Sequence, residues 1–278
     1  MRVRFAGVET MRQKFDELER VVRECGSYAK ERQGCIHRSY KPDGTVLTET
    51  DLEVTRRIVR TLLELFPDCN IVTEEEVVRE FDENAPLTFV LDPIDGTDSY
   101  SQGFPAWCIG LGVLDRDRQP VGSFVYGPRF GRGCEELFLR TDPDDPTVYI
   151  NGEPLSVDGI RRGEKDVPRY ITTGSNILKQ LPLEKAGCRF RSYGCSILHI
   201  VSAVAFFGID ACIDPLCYVW DIVPPHAIAR KVGMEYQYWT GEEFFYDDSI
   251  LLDRKMFSKP LVIGTGACRK ELIARLNG

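Results

Sequence analysis

The segment Val90-Leu-Asp-Pro-Ile-Asp-Gly-Thr97 places two aspartates three residues apart at the end of an apolar run. The run predicts a strand that delivers Asp92 to its carboxyl end, where Pro93 stops strand pairing. The next residues, Asp95-Gly-Thr97, predict a tight turn. Carboxylates that converge on such a turn bind hard cations such as magnesium or manganese. The segment therefore indicates a metal site.

The last two residues of this segment are suited to a phosphate ligand. Gly96 lets the backbone approach a ligand closely, and Thr97 offers a hydroxyl and an amide. A surface turn is the competing interpretation, because aspartate, proline and glycine are all common turn residues. Acidic residues elsewhere in the chain favour the metal site over the turn.

Two further carboxylates follow strand or helix boundaries. Glu74 stands at the end of a short apolar strand, where α/β sheets present their ligands, whereas Glu75 and Glu76 are expected on a solvated face. Asp221 opens a predicted helix directly after Trp220. It is placed either to complete a metal cluster or to act as a helix cap.

Together these motifs resemble the inositol monophosphatase superfamily. The signature Asp-Pro-Ile-Asp-Gly-Thr stands intact at Asp92 to Thr97, and the upstream glutamate of the family matches Glu74. The segment Thr48-Glu-Thr-Asp51 resembles the early Thr-x-x-Asp element, and Trp220-Asp221 matches the Trp-Asp signature. Order and spacing agree across residues 40 to 235, which is most of the chain.

The resemblance implies hydrolysis of a phosphate monoester by a water molecule that metal ions activate. It implies two to three magnesium ions, with manganese as a possible substitute, and inhibition by lithium. The implied metal ligands are Glu74, Asp92, the carbonyl of Ile94, Asp95 and Asp221. The implied catalytic residues, which orient and help to deprotonate the water, are Asp51, Glu74 and Thr97.

On the substrate side the resemblance implies a small phosphorylated metabolite as the bound partner. The implied substrate-binding residues are Asp95, Gly96, Thr97, Gly194, Cys195, Ser196, Asp214 and Asp221. Asp214 is expected on the rim of the site, where it accepts hydrogen bonds from substrate hydroxyls. The polar loop that contains Lys41 resembles a mobile loop that closes over the metals. A homodimer is also implied.

Three departures from the family pattern lie on this substrate side. Ile222-Val-Pro-Pro225 replaces the small residues that commonly follow Trp-Asp. Asp214 is one methylene shorter than the usual glutamate, and Asp98-Ser-Tyr100 replaces a frequent Thr-Asn-Phe. The resemblance therefore implies the reaction more closely than the substrate.

Several substrates stay open at this stage. Inositol monophosphate or a related polyol or sugar phosphate is the first expectation, and histidinol phosphate is the alternative, because Lys41 to Asp51 resembles that branch equally well. A 3′(2′),5′-bisphosphate nucleotidase, a fructose-bisphosphatase and a non-catalytic binding protein on the same fold rank lower. A dinucleotide-binding protein fits poorly, because Gly110-Leu-Gly112 lacks the third glycine of that motif.

Composition excludes several other classes of protein. Of the 278 residues 43% are hydrophobic and 28% are charged, as in an ordinary globular protein. A net charge of −8 argues against nucleic acid or an anionic membrane as the main partner. The longest apolar run, residues 200 to 209, is too short to span a bilayer.

Ten cysteines and three histidines raise the question of disulfides or zinc. No Cys-x-x-Cys pair occurs, and His37, His199 and His226 are far apart, so neither a disulfide framework nor a zinc site is expected. Residues 1 to 9 lack the apolar stretch of a signal peptide. We therefore expect a cytoplasmic protein whose cysteines are mostly small core residues.

Periodicity and turn residues predict alternating helices and strands. The predicted helices are 10–32, 50–66, a short one near Ile177, 196–207, 220–231 and the last part of 261–276. The predicted strands are 70–73, 87–91, 107–114, 121–126, 170–173, 189–191, 210–213 and the first part of 261–276.

This alternation predicts an α/β protein with layered structure. The family resemblance sharpens the expectation to an α-β-α-β-α sandwich of the inositol monophosphatase and fructose-bisphosphatase type. We expect one phosphatase domain over residues 1–278 with two packed halves, 1–145 and 146–278. The first half carries the metal-binding motif, and the polar stretch 141–146 marks the boundary.

Overall fold

A computed structural model describes residues 10–42, 44–76, 78–155 and 168–278. Its α-helices are α1 (Met11–Arg32), α2 (Glu49–Leu65), α3 (Thr97–Ser101), α4 (Ser196–Ala205), α5 (Val219–Lys231), α6 (Asp248–Leu251) and α7 (Gly266–Asn277). Three short 3₁₀ helices are Gln33–Cys35, Ser175–Lys179 and Leu183–Ala186. The short helix expected near Ile177 is thus of the 3₁₀ type.

The strands of the described residues agree closely with the predicted ones, and several short strands are added. They are β1 (Ser39–Tyr40), β2 (Val46–Leu47), β3 (Asn70–Thr73), β4 (Leu87–Asp95), β5 (Cys108–Asp115), β6 (Pro120–Gly127), β7 (Leu137–Thr141), β8 (Tyr149–Ile150), β9 (Glu153–Pro154), β10 (Tyr170–Thr173), β11 (Arg189–Arg191), β12 (Ala211–Asp214), β13 (Glu235–Tyr238) and β14 (Leu261–Gly264).

These strands form two sheets and one hairpin. The seven-stranded sheet has the order β3-β4-β5-β6-β7-β8-β9, with β3 parallel to β4 and every other neighbour antiparallel. The five-stranded sheet has the order β11-β10-β12-β14-β13. The polar segment near Lys41 lies in the hairpin β1-β2, in which Ser39 pairs with Leu47.

Helices lie on both sides of each sheet. Helices α1 and α2 contact one face of the seven-stranded sheet, and α4 and α5 lie between the two sheets. Helix α7 contacts β14 of the five-stranded sheet, away from α4. Three buried hydrophobic clusters separate these layers. The predicted α-β-α-β-α sandwich is confirmed.

A glycine in the seven-stranded sheet shows how closely these layers pack. A Cβ added at Gly112 of β5 would lie 2.6 Å from the backbone nitrogen of Pro224 in α5. No side chain fits between strand and helix at this point, because real Cβ contacts are longer. The glycine pair that resembled a fragment of a dinucleotide motif therefore has a packing role.

The stretch 141–146, which was expected to separate two halves, begins with the last residue of β7 and leads toward β8 of the same sheet. The division of the chain into one domain with two halves stays a prediction. The expected absence of a leader concerns residues 1–9, which lie outside the described residues, as does Asp43 of the polar loop. Among the described helices, none combines the length and apolar character needed to cross a membrane.

Candidate active site

A bulge in β4 brings the two motif aspartates to one side of the sheet. In a regular strand, residues three positions apart point to opposite faces. Asp92 is opposite Gly110 of β5 and Asp95 is opposite Cys108, so β4 carries one extra residue between the two pairs. Pairing resumes at Asp95, beyond Pro93, contrary to the prediction that this proline ends it. The extra residue lets both carboxylates converge.

Asp221 joins these two carboxylates at the start of α5. One ligand oxygen from each of Asp92, Asp95 and Asp221 lies within 4.8 Å of the other two. All three residues line an open cleft of about 490 Å³, together with Glu74 and Ile94. Four of the five predicted metal ligands are carboxylates, and three of those four form this compact cluster.

The buried carboxylates of the cluster repel one another, and a bound positive charge would stabilise their ionised forms. Asp92 is 2% exposed, and its Oδ1 has no hydrogen-bond partner among the described residues. Burial raises its pKa well above the ordinary value, and repulsion from Glu74 and Asp95 adds to the shift. Burial likewise raises the pKa of Asp95 to about 6 and that of Asp221 well above normal.

A hard divalent cation fits this set of donors. The cluster of Asp92, Asp95 and Asp221 offers only oxygen ligands, as magnesium, manganese and calcium prefer. Such a cation relieves the mutual repulsion of the carboxylates and satisfies the unpartnered Oδ1 of Asp92. The residues present therefore fit the metal that the sequence predicts.

Asp221 is placed for both of the roles that the sequence left open. It is the third residue of α5, and its Oδ2 accepts a hydrogen bond of 2.7 Å from the amide of Tyr218. This bond caps the helix. Because only one carboxylate oxygen is used, the other is available in the cluster.

Lys41 pairs with two consecutive glutamates beside the cluster. Its Nζ lies 2.7 Å from Oε1 of Glu74 and 2.9 Å from Oε1 of Glu75. The expectation that Glu75 is solvated is wrong, because its side chain is only 3% exposed and Lys41 neutralises it. Burial raises the pKa of Glu75 to about 7. Glu76 is exposed, as expected.

Asp51 and Thr97 meet at the side of the cluster. Asp51 lies in the first turn of α2, where its Oδ2 accepts a hydrogen bond of 3.0 Å from the amide of Thr48. The Thr97 hydroxyl lies 3.3 Å from Oδ1 of Asp51 and 2.8 Å from the carbonyl oxygen of Ile94. Burial raises the pKa of Asp51 to about 6. This carboxylate can therefore take up a proton near neutral pH.

The segment at the start of α4 packs against the metal motif. Gly96 has a φ of 85°, and a Cβ there would lie 2.9 Å from the carbonyl oxygen of Gly194. Asp95 accepts hydrogen bonds from the Cys195 thiol at 2.9 Å and from the Ser196 amide at 3.2 Å. The thiol and this amide are therefore engaged with Asp95, and their predicted contact with substrate stays a prediction.

Asp214 is not on the rim where the sequence placed it. It ends β12, is 0% exposed, and neither carboxylate oxygen has a conventional hydrogen-bond partner among the described residues. Burial raises its pKa to about 7, and only the weak thiol donor of Cys217 stabilises the charged form. The side chain belongs to the core in this structure, so its predicted contact with substrate hydroxyls needs a rearrangement.

Aromatic side chains form the other wall of the cleft, and the sequence analysis missed them. The rings of Tyr218 and Trp220 stack with centroids 4.8 Å apart, and both line the cleft with the exposed Tyr40. The Arg254 guanidinium lies 5.3 Å from the Trp220 ring. Tyr218 and Trp220 are close to Asp221 in sequence, and this proximity could have identified them as residues of the cleft. No local sequence pattern identifies Arg254 as a neighbour of the cleft.

The geometry agrees with the comparison to known proteins. The sequence pattern described as the inositol monophosphatase family matches residues 7–263. The chain belongs to this family. It is accordingly a phosphoric monoester hydrolase, and metal dependence is general among members of the family.

Curated members of the inositol monophosphatase family resemble most of the chain. An inositol monophosphatase of Dictyostelium discoideum is 27% identical over 210 residues, which cover 70% of this chain and 72% of that protein. A fructose-1,6-bisphosphatase/inositol-1-monophosphatase of Thermotoga maritima is 25% identical over 235 residues, covering 84% and 82%.

Solved structures show the same fold. A staphylococcal inositol monophosphatase-1, solved as an inhibitory complex soaked in lithium chloride, superposes with a TM-score of 0.79. It is 17% identical in sequence, and the match covers 97% of this chain and 96% of that one. At this identity the likeness concerns the fold alone.

Proposed function

We propose that the protein hydrolyses the phosphate monoester of a small polar metabolite in a magnesium-dependent reaction, with inositol monophosphate or a related polyol or sugar phosphate as the first candidate. One observation carries the proposal: Asp92, Asp95 and Asp221 converge on one point of an open cleft. The names of the relatives, an inositol monophosphatase and a fructose-1,6-bisphosphatase/inositol-1-monophosphatase, support this choice of substrate.

In the proposal two to three magnesium ions are held by Glu74, Asp92, Asp95, Asp221 and the carbonyl of Ile94. Manganese is the expected substitute, because it accepts the same oxygen ligands. Bound cations of this kind polarise the phosphate, lower the pKa of water and neutralise charge on the leaving oxygen. Since the carboxylates repel one another without metal, the same residues provide both affinity and geometry.

Asp51 and Thr97 prepare the attacking water in this proposal, with Glu74 nearby. The Thr97 hydroxyl orients the water. A proton of the water passes to Oδ1 of Asp51, which lies 3.3 Å from that hydroxyl. The raised pKa of Asp51, about 6, makes it a better proton acceptor than an ordinary aspartate. The water oxygen bonds to phosphorus, and the bond from phosphorus to the ester oxygen breaks. The leaving ester oxygen takes a proton from solvent to become the alcohol, and Asp51 releases its proton to solvent.

The remaining finer expectations are part of the proposal. The amides of Gly96 and Thr97 are proposed to bind phosphate oxygens, and Gly194, Cys195 and Ser196 to contact the rest of the substrate. Homodimer formation, lithium sensitivity and a cytoplasmic location also stay predictions.

Histidinol phosphate is the second candidate, and the aromatic wall of the cleft favours it. Tyr218 and Trp220 offer flat surfaces close to the carboxylate cluster, and Tyr40 is 66% exposed beside them. Flat rings pack well on such surfaces. The burial of Asp214 removes a hydroxyl acceptor from the rim, which weakens the case for a polyol.

A panel of esters tests the proposal. Each ester is assayed with magnesium, after chelation, and with added lithium. The esters are inositol 1-phosphate, histidinol phosphate, fructose 1,6-bisphosphate, a 3′,5′-bisphosphorylated nucleoside and an aryl phosphate. We expect turnover that needs the metal and differs strongly among esters. Full activity after exhaustive chelation would contradict the mechanism, and metal binding without turnover of any ester would point to a binding protein.

A further inference from the structure

Two buried cysteines lie directly against the carboxylate motif. The sulfur atoms of Cys108 and Cys195 are 3.7 Å apart, although 87 residues separate them in the chain. The Cys195 thiol also lies 2.9 Å from Oδ2 of Asp95. The two sulfurs and a carboxylate oxygen of Asp95 all lie within 4.8 Å of one another.

The fold holds these three residues together from two directions. Cys108 opens β5 and is the residue opposite Asp95 on β4. Cys195 occupies the N-cap position of α4, and the amides of the next two residues, Ser196 and Ile197, also donate to Asp95. Strand pairing therefore positions Cys108, and hydrogen bonds to the Asp95 carboxylate position Cys195.

We propose that Cys108, Cys195 and Asp95 form a site for a thiophilic divalent cation such as zinc, and that occupancy of this site inhibits the phosphatase. Soft sulfur ligands combined with one carboxylate select zinc, cadmium or cobalt over magnesium. The binding part stands by itself, whereas the inhibition rests on the proposed role of Asp95 as a ligand of the activating metal.

The spacing of the sulfurs fits such a cation. Two thiolates bound tetrahedrally to one zinc ion at about 2.3 Å have sulfurs about 3.8 Å apart. The sulfurs of Cys108 and Cys195 are already at 3.7 Å. A disulfide, by contrast, needs sulfurs at about 2.05 Å, so these side chains would have to move within a packed core.

Access and charge also fit a cation. Cys108 and Cys195 are 0% and 2% exposed, but Asp95 lines the open cleft and provides an entry path. Binding of a thiophilic cation by two thiolates releases one proton from each sulfur into solvent. The N-terminus of α4 stabilises the resulting thiolate of Cys195.

Asp95 belongs to two alternative ligand sets, which gives the site its expected effect. One set joins it to Asp92 and Asp221, and the other joins it to Cys108 and Cys195. A cation held by the sulfurs engages the carboxylate that the first set needs. Zinc is therefore expected to inhibit even when magnesium is in large excess.

Cobalt spectroscopy of the full chain tests the binding. The protein, kept reduced and free of metal, is titrated with cobalt, whose bonds to thiolates give an intense charge-transfer band in the near ultraviolet. We expect this band to saturate as cobalt is added and to disappear when zinc is added. Cys108→Ala should abolish the band. A double variant of the exposed cysteines, Cys35→Ala and Cys134→Ala, should keep it.

Zinc inhibition of the same proteins tests the consequence, each measured against its own zinc-free rate. Half-inhibition of Cys108→Ala should require at least about tenfold more zinc than the wild type, a loss of about 1.4 kcal/mol in zinc affinity. Cys108→Ser, whose hydroxyl is a poor zinc ligand, replaces the alanine variant if that variant fails to fold by circular dichroism.

Four outcomes would overturn the proposal. The first is a cobalt spectrum without a thiolate band, and the second is equal zinc sensitivity of wild type and Cys108→Ala. The third is a band that is lost only when Cys35 and Cys134 are replaced. Mass spectrometry that finds a Cys108–Cys195 disulfide under the reducing conditions would also do so. If no ester is hydrolysed at all, the proposed function fails, and the cobalt spectrum still decides whether the thiol site exists.

Discussion

The ammonium nitrogen of Lys41 lies 2.7 Å from Oε1 of Glu74, so a positive charge of the protein itself neutralises a carboxylate predicted to bind metal. The same nitrogen lies 2.9 Å from Glu75. A divalent cation that binds Glu74 must displace Lys41 or share the carboxylate with it. Lys41 therefore competes with the metal in this arrangement, in addition to any role in a closing loop.

Replacing this lysine tests the competition. Lys41→Met removes the charge and keeps most of the length, so the magnesium concentration for half-maximal rate should fall by about threefold, as expected for a partly buried ion pair. Lys30→Met, which removes a surface pair with Glu135, is the control and should change nothing. A higher magnesium requirement in Lys41→Met would instead support a loop that closes over the metals.

A second prediction separates chemistry from turn structure at Asp95. Asp95→Asn keeps the shape but removes the charge, so turnover should fall at least about a hundredfold, roughly 2.7 kcal/mol of barrier. Asp115→Asn is the matched control, because Asp115 pairs with Leu87 at the opposite end of β4 and only accepts a turn hydrogen bond. Near-normal rates for Asp95→Asn would show that Asp95 is a structural turn residue and not a metal ligand.

The third prediction concerns the Thr97 hydroxyl, which contacts both Asp51 and the carbonyl of Ile94. Thr97→Val preserves size and β-branching but has no proton to donate, so kcat should fall about tenfold or more. Thr97→Ser keeps the hydroxyl and should stay within about threefold of wild type. Steady-state rates at saturating magnesium are the measurement, and a near-normal rate for Thr97→Val together with a loss in Thr97→Ser would show that the methyl group, not the hydroxyl, is what counts.

The fourth prediction uses the buried Asp214. Its folded pKa is about 7, above the unfolded value of 3.8, so the unfolded chain releases this proton first as pH rises. The metal-free wild type should therefore lose stability between about pH 4 and pH 7 through this group, and stay destabilised at pH 8. Asp214→Asn cannot ionise and should melt a few degrees higher than wild type at pH 8, since about 1 kcal/mol shifts the midpoint by about 2 °C in a chain of this size.

Thermal unfolding of both proteins at pH 5 and pH 8 with a chelator present provides the measurement. The difference between variant and wild type isolates Asp214 from other buried groups, such as His199, whose pKa burial lowers to about 3. A difference that is the same at both pH values would show that Asp214 does not titrate with a raised pKa. A large loss of turnover in Asp214→Asn would support the predicted substrate contact.

The sequence by itself predicted the candidate metal site and determined the layered fold. Asp92 and Asp95 lie within one strand-and-turn motif, and Glu74 and Asp221 lie at the ends of a strand and at the start of a helix. Such positions follow from local patterns, because strand ends and helix starts are set by nearby residues. The amphipathic helices, such as α1 with Phe15 buried, were predictable for the same reason.

Only the tertiary structure decided which side chains are buried and which partners they meet. Spacing in sequence argued against a cysteine metal site, yet the sheet and α4 bring Cys108 and Cys195 to 3.7 Å. Lys41 likewise removes Glu75 from solvent, and the core encloses Asp214. Each of these features depends on contacts between segments far apart in the chain. Burial and charge pairing arise from those contacts, so no local pattern of residues encodes them.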